Sequence, residues 1–206
     1  MKTLLQKDFR NARFILWPAL WLGVPLLLIL QFSIDRFSFE SIPWKTAYWI
    51  TFFFSSTALF YRSFAQEHRF QTFSLYLAFK TPRWQILLSQ MLTHIGLLFL
   101  LSLFYLLLIL IFWSPRELPW VHLLMVSVFV SCALAPFGTL LGLMLQIERE
   151  FLFSIFFMPL STPLVLAAYG LSEGWSWNWM SLVLSFLVIG SFLSFFLFEF
   201  FFDELI

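Results

Sequence analysis

Six apolar runs, each close to the length a helix needs to cross a lipid bilayer, follow one another along a chain of 206 residues, with short polar stretches between them. Runs of about 20 apolar residues exceed what a small soluble core can bury, so lipid is the solvent they call for. Hydrophobic residues make up 61% of the chain and charged ones only 11%, about half the charged share of an ordinary soluble domain. The expected fold is all-α, a polytopic membrane protein with six transmembrane helices in a single transmembrane domain over 1–206, with spans at about 15–32, 44–64, 86–113, 120–145, 151–171 and 179–202. No acidic or basic tail suggests a nucleic-acid partner.

Residues 1–14 place Leu4, Leu5, Phe9 and Ala12 on one helical arc and Lys2, Gln6, Lys7, Arg10 and Arg13 on the other, which predicts an N-terminal helix lying in the membrane interface. Asp8 falls within the apolar arc and opposes that pattern; a basic flank that merely sets topology is the plainer alternative. The first span exits into Ser33-Ile34-Asp35-Arg36 rather than a small-residue cleavage site, and so reads as a retained helix. Pro18 and Pro25 predict kinks in it. Ser55, Ser56 and Thr57 are small enough to let the second span approach a neighbour closely, and Gly138/Gly142 form a GxxxG that serves packing within one chain or between two copies. Pro159 and Pro163, four apart in the fifth span, predict a bend or a partly unwound turn. Cys132 is the only cysteine, which leaves no disulfide framework and no CxxC metal pair; it reads as a small buried hydrophobe.

Charge has to be read loop by loop, because the net value of +1 hides its distribution. With six spans, nine of the 12 Lys and Arg residues fall on the N-terminal side, and only Arg36, Lys45 and Arg116 opposite. That bias predicts an inner-membrane protein with both termini cytoplasmic. Trp44, Trp113, Trp120, Trp175, Trp177 and Trp179 then gather at the outer boundary, where interfacial aromatics belong. The Trp175-Ser-Trp177-Asn-Trp179 run also invites a flat aromatic ligand or haem, but anchoring explains it at lower cost, since the loop has no histidine to ligate iron.

The longest polar interruption, residues 64–82, lies on the cytoplasmic side. Phe70, Phe73 and Leu77 recur at helical spacing with polar residues between them, and Thr81-Pro82 stops the pattern. A short amphipathic helix that docks a soluble partner through Gln66, Glu67, His68, Arg69, Phe70, Phe73 and Leu77 is the expectation. The chain has no GxxxxGK[ST], no GxSxG and no HExxH, so ATP hydrolysis, if used, is expected on a separate ATP-binding subunit. His94, about two turns into the third span, is an ionisable group where such groups are costly. It reads as a ligand or proton-handling residue, or as packing satisfied by hydroxyls or carbonyls of neighbouring helices. An intramembrane enzyme would need a serine or acid beside it.

Two stretches, FAQEHRFQTFSLYLAFKTPRWQILLSQMLTH from Phe64 to His94 and MPLSTPLVLAA from Met158 to Ala168, resemble the CcmB family, the membrane subunit of the haem-exporter ABC complex of cytochrome c maturation. Phe64, Glu67, Pro82, His94, Pro159, Leu160, Pro163 and Leu164 match the family pattern, whereas Phe70-Gln71-Thr72-Phe73-Ser74 replaces an acidic-Gly-Ser-Leu-Glu run and Gln90 a common lysine. The resemblance implies an ABC-type export permease fold with a cytoplasmic coupling helix over residues 64–82. It implies a homodimer working with a separate ATPase and with haem-handling membrane proteins of a bacterial inner membrane, haem being exported or a haem-loaded chaperone released. No cofactor is expected to reside in the chain: haem enters as a substrate and ATP binds the partner. A permease for a lipid, drug or polysaccharide, or a scaffold that transports nothing, are the alternatives.

Overall fold

In the computed structural model the backbone is described for residues 2–36, 43–69, 82–113, 115, 119–144 and 150–202, and side chains for 14–32, 43–63, 82–113, 115, 119–142 and 155–199. All regular structure among these residues is helical: α1 (Lys2–Arg36), α2 (Trp44–Arg69), α3 (Arg83–Trp113), α4 (Trp120–Met144), α5 (Glu150–Glu173) and α6 (Trp177–Phe202). Successive helices run antiparallel. Gln31 Nε2 donates to the Phe112 carbonyl (3.1 Å), Lys45 Nζ meets Glu173 Oε1 (3.0 Å) and His122 Nε2 donates to the Leu171 carbonyl (2.6 Å), all at one end of the bundle. At the other end Arg83 Nη1 donates to the Glu199 carbonyl near the C-terminus of α6 (3.3 Å), where a cation also complements the helix dipole.

Five of the six helices contain segments long and apolar enough to cross a membrane: Phe14–Phe32, Arg83–Trp113, Trp120–Gly142, Ile155–Glu173 and Trp177–Glu199. The chain therefore has the character of a multi-pass membrane protein. The exception is α2, diluted by Thr46, Tyr48, Thr51, Ser55, Ser56, Thr57, Tyr61 and Ser63. Its position explains the dilution. It packs against α1, α3, α4 and α5, and Ala47, Tyr48, Trp49, Phe52, Phe53, Leu59 and Phe60 are buried together with Thr51, Ser55, Ser56 and Thr57. A helix enclosed by protein has no need of a lipid-compatible surface, and Tyr48, Ser55 and Ser63 find partners on neighbouring helices that lipid would not provide. The other inner helix is α4, with 72% of its spanning window buried against 22% in α1 and in α6.

Four expectations change in detail. Residues 2–14 form no separate interfacial helix: α1 continues without interruption from Lys2 to Arg36, 35 residues and so about 50 Å, because nothing before Pro18 breaks a helix. Likewise Gln66–Arg69 is the last turn of α2, not the start of a new helix; Phe70, Phe73 and Leu77 lie outside the described residues. Third, α5 stays helical across Pro159 and Pro163 with no unwound turn. Cys132 is half-buried rather than fully buried.

Glycines set the closest approaches. A Cβ on Gly23 would overlap Tyr105 Oη and Ser55 Oγ, and one on Gly138 would enter the Phe60 ring. The Gly138 position of the GxxxG is thus spent inside the chain, on the α2–α4 contact. Trp44, Trp113, Trp120, Trp175, Trp177 and Trp179 do gather at one end of the bundle, where Trp175 lies edge-on to His122 (6.3 Å between centroids) and to Phe129 (6.4 Å). His122 thus supplies, from α4, the histidine that the Trp175–Trp179 loop lacks.

Candidate functional site

Hydroxyl groups are the main polar currency inside this bundle, and most are spent locally. Ser56 and Thr57 donate to Phe53, Thr93 to Ser89, Thr139 to Ala135, and Ser161 and Thr162 both to Met158. Such bonds satisfy a hydroxyl at no cost to packing. Apart from Ser194 of α6, which donates to the Pro136 carbonyl of α4, the buried side chains that instead join α1, α2, α3 and α4 across helices define three polar layers.

In the first layer, Tyr48 Oη of α2 lies 2.8 Å from both Ser102 Oγ of α3 and Ser127 Oγ of α4. In the second, Tyr105 Oη of α3 donates its only hydrogen to the Ala19 carbonyl of α1 (3.1 Å), so Ser55 of α2 is the donor in the 2.6 Å contact between Ser55 Oγ and Tyr105 Oη. These two layers tie α1, α2 and α3 together and attach α4 to them.

The third layer is built on His94, buried to 1% exposure in α3. Its Nδ1 is 2.9 Å from Thr139 Oγ1 of α4 and its Nε2 2.9 Å from Ser63 Oγ of α2. Thr139 has already given its hydrogen to the Ala135 carbonyl at 2.7 Å, so Nδ1 carries a proton and donates to it. In the neutral ring Nε2 then accepts from Ser63. Phe60, one turn before Ser63, fixes the ring from the side: it meets His94 edge-on at 5.0 Å and Phe157 of α5 at 5.5 Å, and lies over Gly138. Side chains of α2, α3, α4 and α5 therefore meet at this node, near the C-terminal end of α2.

Of the residues singled out in the sequence, His94 occupies this node, with hydroxyl partners as expected. Pro159 is two residues from Phe157 and Pro163 one turn further along α5. Gln66, Glu67, His68 and Arg69 begin three residues after Ser63 and form the last turn of α2, their side chains outside the described residues. Ser63, Thr139 and Phe60 were not singled out. The signal for them was weak: Ser63 stands beside Arg62 and reads as a helix boundary.

A hydroxyl against an imidazole is also the arrangement of a nucleophile and its base, with Thr139 standing where such a base ordinarily has a carboxylate. The apolar pocket at this end, lined by Leu134, Phe137, Phe157, Leu160, Ser161, Leu164 and Phe186, includes neither Ser63 nor His94. Packing is what this geometry directly provides. If so, Ser63→Ala and Thr139→Val, which keep volume and delete one interhelical bond each, are expected to cost about 0.5–1.5 kcal/mol apiece in detergent unfolding; unchanged melting in both would contradict it. Among the described residues no three His, Cys, Asp or Glu side chains come together to hold a metal ion.

No family model, curated protein or solved structure matches the chain.

Proposed function

We propose that the chain is the membrane permease subunit of an ABC-type transporter, paired with a second copy and driven by a separate ATP-hydrolysing subunit, and that it serves haem export or release of a haem-loaded chaperone in c-type cytochrome biogenesis. The observation that carries the mechanical half of this reading is the placement of α2. It is, with α4, one of the two inner helices of the bundle, and it continues past the Ser63–His94–Thr139 node into Gln66–Arg69. A load applied to that end would be delivered to the centre of the bundle and not to a loop. The haem half rests on the resemblance of Phe64–His94 and Met158–Ala168 to the CcmB family. In this reading the chain makes six crossings of a bacterial inner membrane, with both termini and residues 64–82 cytoplasmic, as nine of the 12 basic residues favour.

The motor's dock would be Gln66, Glu67, His68, Arg69, Phe70, Phe73 and Leu77. Reversing Glu67 and Arg69 (Glu67→Lys with Arg69→Glu) is expected to abolish co-purification of the ATPase from native membranes while the chain still inserts. Undiminished co-purification would contradict the dock. Loss of c-type cytochromes on deletion separates haem export from transport of a lipid, drug or polysaccharide. Cytochrome assembly that survives inactivation of the ATPase's catalytic residues would leave only a scaffold.

A further inference from the structure

The node at His94 sits at the level of prolines in two of the helices it joins, α4 and α5. Pro136 lies two residues before Gly138 in α4, and Pro159 two residues after Phe157 in α5, with Pro163 a turn beyond. Each proline removes the N–H that would bond the carbonyl four residues earlier, so Cys132, Ile155 and Pro159 lose their helical donors. By contrast α2 and α3 contain no proline over 44–69 and 83–113, and the Tyr105 layer ties them to α1. At the base of the two proline-bearing segments lies a small apolar pocket of about 10 Å³, room for roughly one water molecule, open at its mouth. Its lining straddles the prolines: Leu134 and Phe137 flank Pro136, and Leu160 and Leu164 follow Pro159 and Pro163.

We infer that the ends of α4 after Pro136 and of α5 before Pro159 are hinged arms, and that Phe60, Ser63 and His94 form the latch that holds them against the rigid α2–α3 pair. The latch grips α4 through Thr139 and the Gly138 surface, and α5 through Phe157. The far halves of α4 and α5 stay fixed by the Tyr48–Ser127, His122–Leu171 and Lys45–Glu173 contacts. Ser194 of α6 donates to the Pro136 carbonyl at 2.8 Å, pinning the hinge itself on the α6 side. The hinge exists whether or not a motor drives it; only its use in transport rests on the function proposed above.

Distances between spin labels in the full-length protein in lipid nanodiscs test the latch without any partner. In a Cys132→Ser background, one pair at Arg62→Cys and Ile155→Cys spans latch and arm, and a second at Val121→Cys and Trp177→Cys reports the opposite end. The unaltered latch is expected to give one narrow distribution for each pair. Adding His94→Ala is expected to create a longer population in the first pair only, shifted on the order of 2–5 Å. Ser63→Ala with Thr139→Val, which preserve volume, should do the same if His94→Ala does not fold. Restoring the helical donors with Pro159→Ala and Pro163→Ala should remove that second population. A single narrow distribution in both latch variants, an equal change at both ends, or a second population indifferent to the prolines would each overturn the latch. Absence of an ATPase would overturn only the proposed function.

Discussion

Replacing His94 by alanine is expected to destabilise the detergent-solubilised protein by about 2–4 kcal/mol, read as a lower midpoint of thermal unfolding. The figure follows from two parts. Each interhelical hydrogen bond in a membrane bundle contributes roughly 0.6–1.7 kcal/mol, and His94 reaches hydroxyls on two other helices. The remainder is the ring itself, 1% exposed and packed edge-on to Phe60, whose loss leaves a cavity. Removing the partners instead, with Ser63→Ala and Thr139→Val, is expected to cost less than His94→Ala because the ring remains. The two partner substitutions should also be non-additive, since both act on one imidazole. A midpoint unmoved by His94→Ala would mean that the node contributes nothing to holding α2, α3 and α4 together. Loss of function with an unmoved midpoint would point to a ligand or catalytic role in place of a latch.

Gly23→Val is expected to be as damaging by the opposite mechanism, overpacking, at about 3 kcal/mol in the same unfolding measurement. A Cβ there falls on Tyr105 Oη and Ser55 Oγ. Neither atom can retreat freely, because Tyr105 is bound to the Ala19 carbonyl and Ser55 to Tyr105, and both side chains are buried. The strain therefore passes into the α1 contact with α2 and α3, the neighbours against which α1 packs. Gly174→Ala is the control. Nothing lies within 4 Å of a Cβ at that position, so the change is expected to stay within about 0.5 kcal/mol. Equal midpoints for the two variants would contradict the close approach of α1 at Gly23.

The helical character of the chain was legible in its apolar runs because lipid imposes a length and a composition on anything it surrounds. The same rule explains where that reading stops. Five of the six helices have the length and composition to cross a membrane, but α2, set down as one span among six, is instead diluted by hydroxyls and is, with α4, one of the two inner helices. Its hydroxyls and tyrosines were visible in the sequence without revealing that protein rather than lipid faces them. The His94 node was half legible. An ionisable residue inside a span signals a partner, yet Ser63 and Thr139 lie 31 and 45 residues away, and which hydroxyl meets it depends on how three helices are rotated. Spans that are apolar all round carry little record of that rotation. Tyr48 and Tyr105 had a usable signal, a phenol in mid-span, that could have marked the other two layers. The loop at Trp175 was set aside as a ligand site for want of a histidine, which α4 provides only in three dimensions.

The central claim of the proposed reading is that α2 crosses the membrane inside the bundle, although it is the one helix whose described residues lack the sustained apolarity of a lone span. Single cysteines in a Cys132→Ser background, labelled in intact cells and in inverted vesicles with a membrane-impermeant maleimide, test it most directly. With α2 crossing, Lys2→Cys and His68→Cys label from one side of the membrane and Gly174→Cys from the other. Labelling of positions 2 and 68 from opposite sides would show that α2 does not cross, and would contradict the account at its root.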